Sequence, residues 1–164
     1  TVPEDQIDRM VAEWAEVEPD LEVDVLQVIG RLLRSAERIE QRLTETLRPL
    51  GLSYADFDVL NTLRRRGDTE GTHPRDLARS ALITSGAMTA RLDRLVDRGL
   101  VRRTPDPDDR RAVRIRLTSR GARLATRALD AVLATDEEIL APLSRRQRAT
   151  LAGALRRLLL HLDP

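Results

Sequence analysis

Twelve arginines fall between residues 91 and 127 against five aspartates, a local balance of +7 in a chain whose net charge is only +1. Residues 1–24 carry the opposite excess, nine acids against Arg9, a balance of −8. Charge segregated in this way offers a basic surface to phosphate while an acidic surface faces elsewhere. Every basic side chain that titrates above neutrality is arginine, whose planar guanidinium matches phosphate oxygens two at a time. Just ahead of the basic stretch stand Thr84, Ser85, Gly86 and Thr89, short side chains that let a helix come close to base edges in a groove. The chemistry on offer is recognition of nucleic acid.

Catalysis finds little to work with. The chain has no cysteine, and its two histidines, His73 and His161, lie far apart, so a disulfide framework, a thiol nucleophile and a thiolate metal site are excluded and zinc chemistry is not expected. The run Thr84-Ser85-Gly86 lacks the surroundings of a nucleophile elbow, and no glycine-rich phosphate loop occurs. An enzyme acting on a purine or aromatic acid would need a nucleophile–base pair or a metal set that this composition does not supply. No cofactor is expected. The apolar runs, such as residues 158–160, fall far short of the roughly 20 residues that span a bilayer. With no signal-peptide pattern before the first helix, the expectation is a cytoplasmic protein without a membrane partner.

The elements that must position the basic stretch follow from periodicity. Ile7, Met10, Val11 and Trp14 make an apolar stripe on an acidic helix over about residues 4–17. A longer helix over about 21–48 carries Leu26, Ile29, Leu32, Leu33, Ala36, Ile39, Leu43 and Leu47 on one side and ends at Pro49 and Gly51. Ser53, with Asp56 three residues on, opens a helix over about 54–66 that stops at Gly67. Pro74 starts a short helix to about residue 80. Thr84 caps the next, over about 84–98, with Met88, Leu92, Leu95 and Val96 as its buried stripe and Gly99 as its stop. Two short helices joined by a tight turn read as a helix-turn-helix. Residues 100–103 and 112–117 then read as two strands, the second alternating apolar and basic, joined by a turn rich in proline and aspartate. Thr118 caps a helix over about 119–139, and Ser144 with Gln147 caps the last, over about 145–161. The expected class is mainly α with a small β-hairpin wing: a winged helix-turn-helix over residues 53–118, with residues 1–48 and 119–164 as a dimerisation region. The apolar surface of the long and final helices exceeds what a small winged domain can cover, which points to a second copy of the chain.

In a helix-turn-helix the second helix enters the major groove by its N-terminal end. Ser85 and Thr89 are the candidates for base contact and Arg94 for phosphate contact. The run TSGAMTARLDRLVDRGLVRRTPDPDDRRAVRIRLTSRG, residues 84–121, resembles the reading helix and wing of the MarR family of bacterial transcriptional regulators. Asp109-Arg110-Arg111 followed by Leu117-Thr118 and Gly121 is similar to that family's wing motif. The resemblance implies that Arg111 reaches from the wing tip into the minor groove, where a narrow groove strengthens the negative potential, with Asp109 orienting it or pairing with a wing arginine. It also implies a homodimer on double-stranded DNA in which the terminal helices of both chains interlock.

The extra acidic helix before the long one, with the only tryptophan at Trp14, together with Asp58, Arg91 and Arg103, is similar to the urate-responsive branch of that family, which includes HucR and PecS. That likeness implies a small-molecule effector, urate or a related purine, with another aromatic acid or phenol as the alternative. Carried over residue by residue, Trp14 would line the purine, Arg103 would neutralise its charge, and Asp58 and Arg91 would form a charge pair that the ligand disturbs. Arg91 stands at the edge of the buried stripe and so wants an acidic partner. Asp58 lies beside Tyr54, Asn61 and Thr62 on its own helix, a position that does not by itself bury it.

Overall fold

The computed structural model describes residues 3–67, 70–80, 88–109 and 111–163, and they divide into two compact units, Thr1–Arg42 and Leu43–Pro164.

The first unit holds helix α1 (Gln6–Val17) and the greater part of helix α2 (Asp24–Leu47). Asp5 caps α1: its Oδ1 accepts the N–H groups of Ile7 at 2.7 Å and Asp8 at 3.0 Å. In return the Asp5 N–H donates to Asp8 Oδ2 at 2.9 Å, so three N–H groups are satisfied in a reciprocal box. Arg31 of α2 then clasps both acids, Nε on Asp5 at 2.8 Å and Nη2 on Asp8 at 2.6 Å. Ile7, the buried residue of α1, sits on Gly30, where even a methyl group would lie 2.9 Å from its Cδ1. The pair is thus held by one close apolar contact and one charged clasp. Trp14 is 38% exposed, and Val25, Val28 and Leu33 of α2 are exposed as well.

The second unit contains the last turn of α2, a 3-10 turn at Arg48–Leu50, and helices α3 (Tyr54–Arg66), α4 (Pro74–Ser80) and α5 (Met88–Asp97). Strands β1 (Val101–Pro105) and β2 (Val113–Leu117) follow, then helices α6 (Ser119–Leu140) and α7 (Arg145–Leu162). The expected class, mainly helical with one hairpin, is the observed one. Leu47, Leu60, Leu77, Leu92, Leu95, Leu100 and Ile115 are fully buried and form the centre of one core, contributed by α2, α3, α4, α5 and the hairpin. The strands pair antiparallel with Val101 opposite Leu117 and Arg103 opposite Ile115. Thr72 adds a bridge on the other side of β2, exchanging both backbone bonds with Ile115 at 2.9 and 2.8 Å. Gly71 precedes it at φ +89°, a left-handed conformation, and a Cβ there would stand 2.9 Å from the Ile115 carbonyl oxygen.

Caps close the helices where the sequence places them. Ser53 Oγ accepts from Asp56 N–H, Thr118 Oγ1 from Gly121 N–H, and Ser144 makes the full reciprocal box with Gln147. On α3 the Asp56 carboxylate turns towards Arg91. None of the described residues of α7 is buried, and Leu151, Leu158, Leu159, Leu160 and Leu162 face outward from it.

Candidate nucleic-acid interface

Helix α5 is amphipathic because Met88, Leu92 and Leu95 recur at helical spacing and are buried. The opposite side therefore carries Thr89 and Arg94 outward, Arg94 with 58% of its side chain exposed. Thr84 and Ser85, the other hydroxyl candidates of the reading helix, lie outside the described residues, as does Arg110 of the wing.

Arg91 occupies the boundary between the two faces. Its Nε stands 3.5 Å from Asp56 Oδ1, with 13% of each side chain exposed. Arg94 Nη2 approaches the same oxygen at 4.0 Å. The partner of Arg91 is thus Asp56 and not the expected Asp58. Two residues turn a helix by about 200°, so Asp56 on the first turn of α3 looks towards α5 while Asp58 points elsewhere. Asp58 is 5% exposed, buried after all, because α6 packs along α3. On that side Tyr54, Asp58 and Asp136 come near one another. Burial, then the charges of Asp58 and Asp136, raise the pKa of the Tyr54 hydroxyl, and burial raises that of the Asp136 carboxyl.

Arg103, on β1, bonds through Nη2 to Asp93 Oδ1 of α5 at 2.6 Å, which ties the root of the wing to the reading helix. Trp14 belongs to the other compact unit. Asp56 and Asp93 were the partners that periodicity alone did not single out. The signal was present in their acidic type on helices that also carry outward arginines, but the choice among acids two residues apart requires the packed helices.

The wing turn is organised by an aspartate. Asp106, 5% exposed, accepts at Oδ1 from the N–H groups of Asp108 at 2.8 Å and Asp109 at 3.0 Å. At Oδ2 it meets Arg114 Nε at 2.6 Å and His73 Nε2 at 3.1 Å. The side chain folds onto the backbone two and three residues ahead, as aspartates in turns do. Asp109 Oδ1 accepts the Arg111 N–H at 2.9 Å, so it orients Arg111 through the backbone, and the carboxylate that pairs with the wing's Arg114 is that of Asp106. Arg111 stands exposed.

The Arg114 guanidinium, followed by the two backbone N–H groups, holds the Asp106 carboxyl down at about 2. Its folded pKa is depressed, so its contribution is present above the usual carboxylate value near 4 and is lost as pH falls from about 4 to about 2. Amide exchange at Asp108 and Asp109 is expected to accelerate across that window. In Asp106→Asn those amides should exchange fast at neutral pH too, and equal protection in the variant would show that the turn does not depend on this carboxylate.

At the base of the wing, Thr118 Oγ1 donates to the Gly99 carbonyl at 2.7 Å while it caps α6. Thr118 N–H donates to the Leu100 carbonyl at 3.1 Å. The end of α5, the start of β1 and the start of α6 therefore meet at one point, and the reading helix and the wing are presented by one framework. Among the described residues no helix is long and apolar enough to cross a membrane.

A helix with an outward polar face, joined at its end to a hairpin with an exposed arginine tip, is the arrangement shared with known proteins. The chain is 35% identical to the HTH-type transcriptional regulator PecS of Dickeya dadantii over 157 residues, 96% of this chain and 95% of that one. It belongs to the MarR family. The MarR family model matches residues 50–112, from the end of the 3-10 turn to the wing tip. A cysteine-to-serine mutant of MarR from E. coli, solved in complex with operator DNA, superposes with a TM-score of 0.71 at 30% identity, covering 89% of this chain and 97% of that one. The organohalide-sensing RdhR regulator in its 2,4-dichlorophenol-bound form gives a TM-score of 0.75 at 26% identity, covering 87% and 83%. As a MarR-family member the protein is a DNA-binding transcriptional regulator, and this decides against the enzyme reading.

Proposed function

We propose that the protein is a repressor that binds a pseudo-palindromic operator as a homodimer and loses DNA affinity when urate or a related purine anion binds. The observation that carries the DNA-binding part is the joined presentation of Thr89 and Arg94 on α5 and of Arg111 on the wing, all exposed and all held by the junction at Thr118. Ser85 and Thr89 are assigned to base edges, Arg94 to phosphate, and Arg111, set by Asp109, to the minor groove, with Thr84 and Arg110 as further DNA-binding residues. The likeness to MarR solved with operator DNA supports the DNA-binding reading as a whole. Residues 53–118 act as the DNA-binding domain, and residues 1–48 with 119–164 as the dimerisation region. The outward leucines of α7 support the second copy, and two reading helices about 34 to 36 Å apart would address successive major-groove turns.

The effector part rests on Trp14, Asp58, Arg91 and Arg103, assigned from the likeness to the urate-responsive branch and supported by the extent of the PecS match. Arg103 and Arg91 are each engaged by an acid on a DNA-reading framework, Asp93 and Asp56. An anion competing for either guanidinium would shift α5 or the wing root. Such coupling is typically worth about 1 to 3 kcal/mol. A phenol or other aromatic acid is the second reading, favoured by the dichlorophenol-bound RdhR structure.

The test is a shift assay on DNA upstream of the protein's own coding sequence, with and without millimolar urate. Urate is expected to release the DNA and to change the emission of Trp14, while Trp14→Phe and Arg103→Ala keep DNA binding and blunt the response. If emission and complex are both unchanged by urate but respond to a phenol, the purine reading fails and the second stands. For the wing, Arg111→Ala is expected to weaken specific binding by about 1 to 3 kcal/mol and to flatten the dependence on salt. Thr89→Ala should instead alter base preference at constant salt slope. An unchanged affinity and slope in Arg111→Ala would mean that the wing tip does not touch DNA.

A further inference from the structure

His73 meets the Asp106 carboxylate of the wing turn. It sits immediately before α4, outside the hairpin, while three of the four donors on the buried Asp106 carboxylate, the N–H groups of Asp108 and Asp109 and the Arg114 guanidinium, belong to the hairpin itself. The fourth, His73 Nε2 at 3.1 Å, is the side-chain tie from that carboxylate to the rest of the unit. From Asp106 the connection runs on through the Asp109 N–H to Asp109 Oδ1 and so to the Arg111 N–H. His73 and Arg111 also line one groove, with Pro74, Arg75, Asp76, Ala112 and Val113.

We propose that His73 is a positioning residue for the wing: by donating from Nε2 to Asp106 it anchors the wing to the start of α4 and sets where Arg111 stands. This rests on the reading of the wing tip as a DNA contact. The groups that face His73 are Asp106 and, sharing its Oδ2, Arg114, with Arg75 and Asp76 from α4 and Arg111 from the wing. The neutral ring can donate one hydrogen bond to Asp106. Because the Asp106 carboxylate is ionised, that bond is charge-assisted and stronger than one between neutral groups.

Two variants of the full chain test this. His73→Gln keeps an amide donor that does not titrate, and His73→Phe removes the donor. Without DNA, exchange of the backbone amides of Asp108, Asp109 and Arg111 is compared in the wild type and both variants. It is expected to accelerate in His73→Phe and to stay close to the wild-type rate in His73→Gln, which keeps the donor. With operator DNA, His73→Phe is expected to lose affinity by about ten-fold to a hundred-fold, as Arg111→Ala does, with the double variant no weaker than either single one. Non-additivity is the signature of two residues acting through one connection. Wing amides that exchange no faster in His73→Phe, or losses that add in the double variant, would overturn the proposal. If the wild type binds no DNA while its wing amides respond to His73→Phe, the anchor stands and the DNA contact of the wing is what fails.

Discussion

Gly121→Ala is expected to destabilise the DNA-binding unit by about 3 kcal/mol or more, at the upper end of what an inserted methyl group costs in a tight contact. A Cβ at Gly121 would stand 1.9 Å from the Leu100 carbonyl oxygen and 2.8 Å from its carbonyl carbon. Neither atom can step aside, because the Leu100 carbonyl already receives the Thr118 N–H and because Leu100 itself is buried in the core. Relief would require the first turn of α6 to lift away from the wing base, breaking the cap that Thr118 makes to Gly121. For a chain of this length the loss corresponds to a fall in Tm of about 10 °C, read by thermal denaturation. Gly153→Ala provides the comparison. On α7 nothing lies within 4 Å of the added Cβ, so the gain in helix propensity, up to about 1 kcal/mol, is expected to act alone and in the opposite direction. A Gly121→Ala protein as stable as the wild type would mean that the α6 start does not pack on Leu100.

Asp56→Ala is expected to cost about 3 kcal/mol, because it leaves the Arg91 guanidinium charged and largely removed from water without its acid. Asp56 Oδ1 and Arg91 Nε are both buried atoms that find no aligned hydrogen bond; they face one another at 3.5 Å, with Arg94 Nη2 at 4.0 Å from the same oxygen. An exposed ion pair of the same length would be worth no more than about 1 kcal/mol, so the size of the effect distinguishes the two environments. Adding Arg91→Met to Asp56→Ala removes the stranded charge and should recover most of the loss, as replacement of buried ion pairs by apolar side chains commonly does. The measurement is urea denaturation of both single variants and the double. A loss of less than about 0.5 kcal/mol in Asp56→Ala, or a double variant no more stable than the single, would show that the pair is effectively solvated. Because Arg91 belongs to α5 and Asp56 to α3, the single variants should also weaken DNA binding, by releasing the reading helix from its support.

What was legible in the residues is what depends on neighbours along the chain. Helices α3 and α4 were readable to their end residues, because Ser53, Gly67 and Pro74 are local signals whose energy is set within one turn. The alternation of residues 112–117 announced a half-buried strand, since one face of a hairpin must cover the core. The exposure of Thr89 and Arg94 followed from helical periodicity, and that of Arg111 from its place in the turn between the strands. The first capping box, Asp5 with Asp8, is equally local and was open to reading, but the apolar stripe drew the helix start nearer the terminus.

The acid that meets Arg91, the burial of Asp58, the tie from Arg103 to Asp93 and the fourfold use of Asp106 were decided by tertiary structure alone. Each is a choice among several aspartates within a few residues of one another, all chemically able to pair with arginine. Composition supplies the charges and local periodicity gives each a direction on its own helix, but a direction becomes a partner only when a second element packs there. Asp56 and Asp58 differ by about 200° of helix rotation, and α5 lies on one side while α6 lies on the other. Gly121 shows the same division. The sequence by itself determines that a small residue follows the Thr118 cap within a motif similar to that of a family, whereas the reason that nothing larger fits, a carbonyl of Leu100 pressed against its Cα, exists only once the wing has folded back onto the start of α6.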